Sequence, residues 1–273
     1  VKNLLRWFVC LSLLAVACLY TYRLDNSDDP ATYVYAATGI HELNAATRNG
    51  DIDVAASVDP DSSVRVQVAK YAYGRDRADA EQTLRDMIDS VAIIGAELRV
   101  SESMPRGRPC GASFTVTGPE SIGLSLTTTN GDITVENMTG GISANTTNGK
   151  VELTGTAGTA SVATTNGRLD VRVHRGAFYG ATTNGAVDCD LAALSPTENV
   201  GLVTTNGKVT LLLPEDVSAM IDATNSSGLL TIYDFTVIYE AQEEHHLRGR
   251  IGSGASVINI TTTNGDVVVR RRS

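Results

Sequence analysis

The feature that most constrains this chain is a phrase, Thr-Thr-Asn-Gly followed by a short alternating strand, that returns at fixed register. It reads Thr128-Thr129-Asn130-Gly131-Asp132-Ile133-Thr134-Val135, and its Asn-Gly pair comes back at Asn148-Gly149, Asn166-Gly167, Asn184-Gly185, Asn206-Gly207 and Asn264-Gly265. A weaker copy stands far upstream at Asn49-Gly50, and a degenerate one runs from Ala223 to Ile232. The first returns are 18 residues apart and the next is 22. A fixed period of this length is the signature of a stacked repeat, in which each unit buries its apolar face only against its neighbours.

Aligned on Asn, the copies share one apolar register. Leu124 and Leu126, Ile142 and Ala144, Ala160 and Val162, Val200 and Leu202, and Ile258 and Ile260 precede the turn at alternate positions. Ile133 and Val135, Val151 and Leu153, Leu169 and Val171, Val187 and Cys189, Val209 and Leu211, and Val267 and Val269 follow it. Side chains alternate faces along a strand, so each set makes one buried face on either side of Asn-Gly. Asn and Gly tolerate positive φ at least cost, which suits a corner there. An all-β, β-solenoid-like stack of two-strand rungs follows, each about 18 residues long. In such a stack the Asn side chains and the inner Thr128, Thr146, Thr164, Thr182, Thr204 and Thr262 are expected to form ladders, each bonding its equivalent in the next rung. Thr129 and its equivalents face water.

Ahead of the array the pattern changes. Residues 24–39, polar and interrupted by Pro30, read as a linker, and 40–110 as an N-terminal cap. Within the cap, Ala80, Leu84, Met87, Ile88 and Val91 recur at three- and four-residue steps and predict one amphipathic helix over about 75–92. The array occupies 111–270, with Tyr233 to Gly254 as an excursion or irregular final rung and Arg270-Arg271-Arg272 blocking the far edge.

Residues 1–23 stand apart. Lys2 and Arg6 precede an apolar run from Trp7 to about Tyr22, shorter than the ~20 residues a spanning helix needs. This is the composition of a signal peptide or membrane anchor. Three outcomes are open: cleavage after Ala17, lipidation of Cys18 within Leu14-Ala15-Val16-Ala17-Cys18, or an uncleaved anchor. Beyond this segment only Cys110 and Cys189 remain; in an exported protein the two could bridge, but a free buried thiol is enough to explain Cys189 at its inward strand position.

Catalytic and metal chemistry finds little support. A net charge of −9 and a pI near 4.9 argue against nucleic acid, whose phosphates demand a basic surface. A calcium roll needs an acid in every turn, whereas Asp132, Lys150, Arg168, Ala186, Lys208 and Asp266 follow the Asn-Gly pairs. Glu243-Glu244-His245-His246 is the densest potential metal cluster, but adjacent histidines diverge on a strand or a helix. His41 and His174 are isolated. No nucleophile elbow, phosphate-binding glycine loop or HExxH occurs. The outward Asp170, Asp188 and Asp190 could serve glycan cleavage, but no aromatic sugar platform accompanies them. No cofactor and no enzyme activity are expected.

Taken together, the Thr-Thr-Asn-Gly-Asp-Ile-Thr-Val phrase, the helix from Asp76 to Val91 and the closing Ile251-Gly252-Ser253-Gly254 through Ile258 to Val267 resemble the bacterial putative-adhesin family of β-strand-repeat domains of unknown function. That family includes a membrane-anchored component of an envelope-stress operon. The resemblance implies an exported, envelope-anchored, non-enzymatic repeat protein that acts as an adhesin-like or envelope-stress binding module, with a structural spacer or self-assembling scaffold as the alternative and a glycan-active solenoid enzyme as the third. The partners it implies are the membrane, through the N-terminal segment, and an envelope or surface macromolecule, contacted through the outward Thr column and the variable residues after Asn-Gly.

Overall fold

The computed structural model describes residues 22–57 and 63–272, so residues 1–21 of the expected signal or anchor, Cys18 among them, lie outside the described residues, while Tyr22 and Arg23 belong to a strand. Among the described residues no helix is long and apolar enough to cross a membrane.

The body is two 12-stranded sheets with the core between them. Each rung places one strand in each sheet and turns between them at Asn-Gly. In one sheet lie β9 (Gly123–Asn130), β11 (Ile142–Asn148), β13 (Ala160–Asn166), β15 (Phe178–Asn184), β17 (Val200–Asn206) and β23 (Ser256–Asn264). In the other lie β10 (Ile133–Glu136), β12 (Val151–Thr154), β14 (Leu169–Arg175), β16 (Val187–Ala193), β18 (Val209–Leu213) and β24 (Val267–Arg271). Neighbouring rungs pair in parallel with equivalent residues aligned, Leu124 beside Ile142 and Asn130 beside Asn148. The residues expected inward are buried throughout. Where β15 brings in the bulky Phe178, the next inward residue is Gly180, whose added Cβ would lie 2.8 Å from the Phe178 ring.

The corner works differently from the turn expected. The array Asn residues and the glycines after them, Gly131 to Gly265, are not among the residues with positive φ. Glycine is required instead by crowding. A Cβ on Gly131, Gly149, Gly167, Gly185, Gly207 or Gly265 would sit 1.8–2.0 Å from the carbonyl oxygen of the equivalent glycine in the rung before. The inner threonines also part from expectation. Thr146 and Thr164 donate to the carbonyls of Gly131 and Gly149, both at 2.9 Å, rather than to one another, because at the corner the glycine carbonyl points into the pocket each hydroxyl occupies. The Asn ladder forms as expected, but it runs along the solvent-exposed corner of the stack and not inside it. Each Nδ2 donates to Oδ1 of the rung before: Asn148 to Asn130, Asn166 to Asn148 and Asn184 to Asn166 at 2.8 Å, and Asn206 to Asn184 at 2.9 Å.

Two insertions depart from chain order. The weaker copy, β3 (Glu42–Ala46) and β4 (Ile52–Ala56), sits directly under the array, with β7 (Glu97–Ser103) and β8 (Cys110–Gly118) stacked outside it. Its Asn49 therefore joins the ladder, receiving Asn130 Nδ2 and donating to Cys110 O at 3.0 Å. At the far end, β23 and β24 slide between the β17–β18 rung and the degenerate rung of β19 (Ala219–Thr224) and β20 (Leu230–Ile232). The arginines at 270–272 thus do not block the terminal edge. Arg270 lies over the Tyr233 ring, and Arg271 and Arg272 pair with Glu215 and Asp190. A hairpin of β21 (Val237–Gln242) and β22 (His246–Ile251) covers β19 antiparallel, so the charged excursion is the true end of its sheet.

In the cap, α1 (Arg77–Asp86) starts at Asp76, whose carboxylate accepts from Asp79 N at 2.9 Å. It stops six residues short of the expected boundary near 92, because Met87 turns to extended geometry and β6 (Ile88–Ile94), rich in β-branched residues, pairs with β7. The three- and four-residue spacing held only through Met87; Ile88 is exposed. The stretch read as a linker carries β1 (Tyr22–Asp25) and β2 (Ala31–Tyr35), both antiparallel to β5 (Val64–Gly74). Tyr35 Oη of β2 donates to Val91 O at 2.8 Å, and Tyr33 Oη to Asp89 at 3.2 Å, so β2 ties the two sheets together at this end.

Candidate ligand-binding face

The two outer faces of the stack differ in charge, and the difference follows from the repeat. The six strands β9, β11, β13, β15, β17 and β23 contain no Asp, Glu, Lys, Arg or His. Their outward side chains are Ser, Thr, Asn, Ala and Gly, interrupted by Tyr179, Val203 and Val257. The opposite face carries the charges, and those at its middle rungs are paired. Arg172 meets Asp170 at 2.8 Å and Glu152 at 3.6 Å, Lys150 pairs with Glu152, and Arg168 reaches Asp188 at 2.9 Å.

This arrangement decides the fate of the acids singled out from the sequence. Asp170 is buried beneath Arg168 and Arg172, Asp188 is held by Arg168, and Asp190 by Arg272 at 2.8 Å. They are therefore engaged as ion-pair partners rather than presented to a substrate. Farther along, the carboxyl of Asp53, near Asp51, Asp132 and Glu136, is raised above its ordinary value, chiefly by loss of solvent, against the lowering effect of the Thr134 hydroxyl. The residues after Asn-Gly belong to this charged side, so they do not line one face with the Thr column as expected.

The remaining titratable candidates are structural. His174 is fully buried at the end of the core, with Thr156 Oγ1 2.9 Å from Nδ1 and Ala177 O 3.3 Å from Nε2. Burial lowers its pKa and keeps it neutral, so Nε2 is assigned the proton and Nδ1 accepts from Thr156. His245 and His246 point apart, to Asn225 and Asp222. Among the described residues no three metal-ligating side chains converge. Cys110 and Cys189 are unbridged and buried, and loss of solvent pushes both thiols up.

The uncharged face is not flat. A groove of about 350 Å³ opens on it between the ends of β13, β15, β17 and β23, lined by Ser161, Tyr179, Asn199, Gly201, Val203 and Asn259 among others. Sequence reasoning missed this face, although its signal is plain: the six array strands before Asn-Gly carry no charge, and all but β18 of those after it do.

The sequence model of the family described as Toastrack DUF4097 matches residues 30–270. Three solved structures are matched over most of their length. A putative cell adhesion protein from Clostridium sporogenes is 12% identical, with 89% of this chain and 100% of that one covered and a TM-score of 0.37. A putative adhesin from Bacteroides fragilis is 13% identical, with 90% and 98% covered and a TM-score of 0.44. A putative lipid binding protein from Parabacteroides distasonis is 8% identical, with 90% and 98% covered and a TM-score of 0.24. No curated protein matches.

Proposed function

Starting from the fact that the chain belongs to the Toastrack DUF4097 family, we propose that it is a non-enzymatic binding module of the cell envelope, exported and held at the membrane by the segment before residue 24, in the manner of an adhesin or envelope-stress accessory. The observation that carries this reading is the uncharged outer face spanning β9 to β23, an extended surface of hydroxyl, amide and small side chains opposite the face that carries the charges. A repeated uncharged surface offers many equivalent weak contacts to an extended partner, and their sum gives avidity without a deep pocket. The test is retention of the protein on envelope fractions from its own cells. Ser143→Glu with Ala163→Glu on the uncharged face should abolish retention, and Thr154→Glu on the charged face should leave it intact; the reverse pattern overturns the reading. Intact mass of the membrane-extracted protein distinguishes lipidated Cys18 from an uncleaved anchor.

A second reading, end-to-end assembly of copies, draws on the two edge strands. β6 exposes Ile88 and Ile94, and β21 at the other end of the same sheet exposes Ile238 and Tyr239. Unprotected apolar edges invite strand addition. Sedimentation over a hundredfold concentration range tests it: growth in mass that Ile94→Lys removes supports assembly, and constant monomer mass excludes it.

A further inference from the structure

The groove on the uncharged face has the composition of a saccharide site. Tyr179 is the only aromatic side chain directed outward from the six strands β9 to β23, and it is half exposed. Its ring lies across the neighbouring rung because residue 201 is glycine, where an added Cβ would come 2.7 Å from Cδ2 and 3.1 Å from Cε2. The equivalent outward position is Ser125, Ser143 and Ser161 on one side and Asn259 on the other, so glycine occurs just where the ring needs a seat.

Around the ring stand polar groups with unused capacity. Asn199 accepts Val257 N through Oδ1 at 3.1 Å, which leaves its Nδ2 to donate outward. Among the described residues the Ser161 hydroxyl and the Asn259 amide make no hydrogen bond to the protein. No carboxylate, ammonium, guanidinium or imidazole lines the groove. An anionic ligand would enter a protein of net charge −9 with no cation to receive it, and a cationic one would meet no anion. An uncharged ring with polarised C–H bonds on one face and hydroxyls at its rim matches each element: the C–H face lies on the negative face of the tyrosine ring, and the hydroxyls reach the amides and the serine. At about 350 Å³ the groove falls at the small end of ligand sites and is open along the face.

We infer that this groove binds a neutral saccharide, with one pyranose ring stacked on Tyr179 and its hydroxyls bonded to Asn199, Asn259 and Ser161. The inference rests on the uncharged face being the binding surface. The full-length protein is titrated by calorimetry with neutral hexasaccharides of glucose and of N-acetylglucosamine, and with oligogalacturonate as an anionic comparator. Expected is binding of at least one neutral probe, weakened tenfold or more by Tyr179→Ala, changed less than threefold by Tyr179→Phe, weakened by Gly201→Val, and insensitive to salt; thermal unfolding checks that each variant is folded. Preference for the anionic probe, or equal binding by Tyr179→Ala, overturns the saccharide site. If no neutral probe binds while the Ser143→Glu, Ala163→Glu variant still loses envelope retention, the saccharide inference falls and the binding face stands. If retention is also absent in the unmodified protein, both fall.

Discussion

The side-chain amide of Asn130 donates to Oδ1 of Asn49 at 2.7 Å, across 81 residues of sequence. This one bond carries the ladder from the repeat array into the cap, and every later rung repeats it in the same direction. Breaking the ladder mid-stack removes two bonds at once, since Asn166 donates to Asn148 and accepts from Asn184. At an exposed corner, where water can replace part of the loss, Asn166→Ala is expected to cost about 1 kcal/mol in urea unfolding. Asn166→Asp should cost more at neutral pH, because a carboxylate loses the donor and faces the oxygen of Asn148. In acid the protonated Asp regains a donor as well as an acceptor, so its deficit should fall below that of Asn166→Ala.

Gly167→Ala addresses the close approach at the corner. The new methyl would sit 1.8 Å from Gly149 O, an atom of backbone that cannot swing aside. We expect a loss of more than about 3 kcal/mol or failure to fold, in the range reserved for backbone and packing violations. Gly123→Ala is the control: its nearest neighbour would be 3.5 Å away, so a change of under about 1 kcal/mol is expected.

Glu102 gives a pH dependence. Its Oε1 lies 3.0 Å from Thr47 Oγ1 and accepts Arg48 N at 3.0 Å, while Oε2 is buried without a partner. Burial raises its pKa above the ordinary 4.5, outweighing these hydrogen bonds. The folded protein then holds this proton more tightly than the unfolded chain, so stability falls as pH rises from about 4.5 through the folded-state value and is flat above it. Glu102→Gln removes the titration. The Tm difference between variant and parent should open over that window in favour of the variant; parallel pH profiles would contradict it.

Deleting residues 149–166 removes one whole period and rejoins Asn148 to Gly167 in register. Stacked repeats depend on nearest neighbours, so the shortened chain should still unfold cooperatively, with an m-value lower by roughly a tenth. Deleting 149–157 instead puts the strands out of phase with the core and should abolish folding.

Much of this architecture was legible because the buried positions obey one period. Leu126, Ile133 and their equivalents could be placed without knowing the turn between them, since alternation alone assigns their face. Long-range placement was not legible. Nothing near Asn49 says that it stacks on Asn130 rather than on Cys110 alone, and nothing near Asn264 says that its rung slips inside that of Ala223; parallel registers of like residues are nearly equivalent locally. Ala80 to Val91 misled because spacings of three and four residues continued by chance into a β-branched strand. The corner misled for another reason: Asn-Gly is a signature of positive φ, yet here glycine answers to the carbonyl of the rung before, which a single rung read alone does not contain. The Tyr179 groove depends on Gly201, 22 positions away and significant only as its neighbour across the sheet.

The placement of β23 and β24 between the rungs of β17 and β19 has a bearing on how the protein is made. Residues 219–232 join the array only through residues 256–271, because β19 meets β23 on one side and β22 on the other, and β20 meets β24. For a chain delivered amino end first, rung-by-rung growth is expected to pause at Leu213 and to resume on the array only when the strands of 256–271 arrive. A product cut short between them keeps an open parallel edge at β17 and β18. Completion of the stack thereby doubles as proof that the chain was delivered through residue 271.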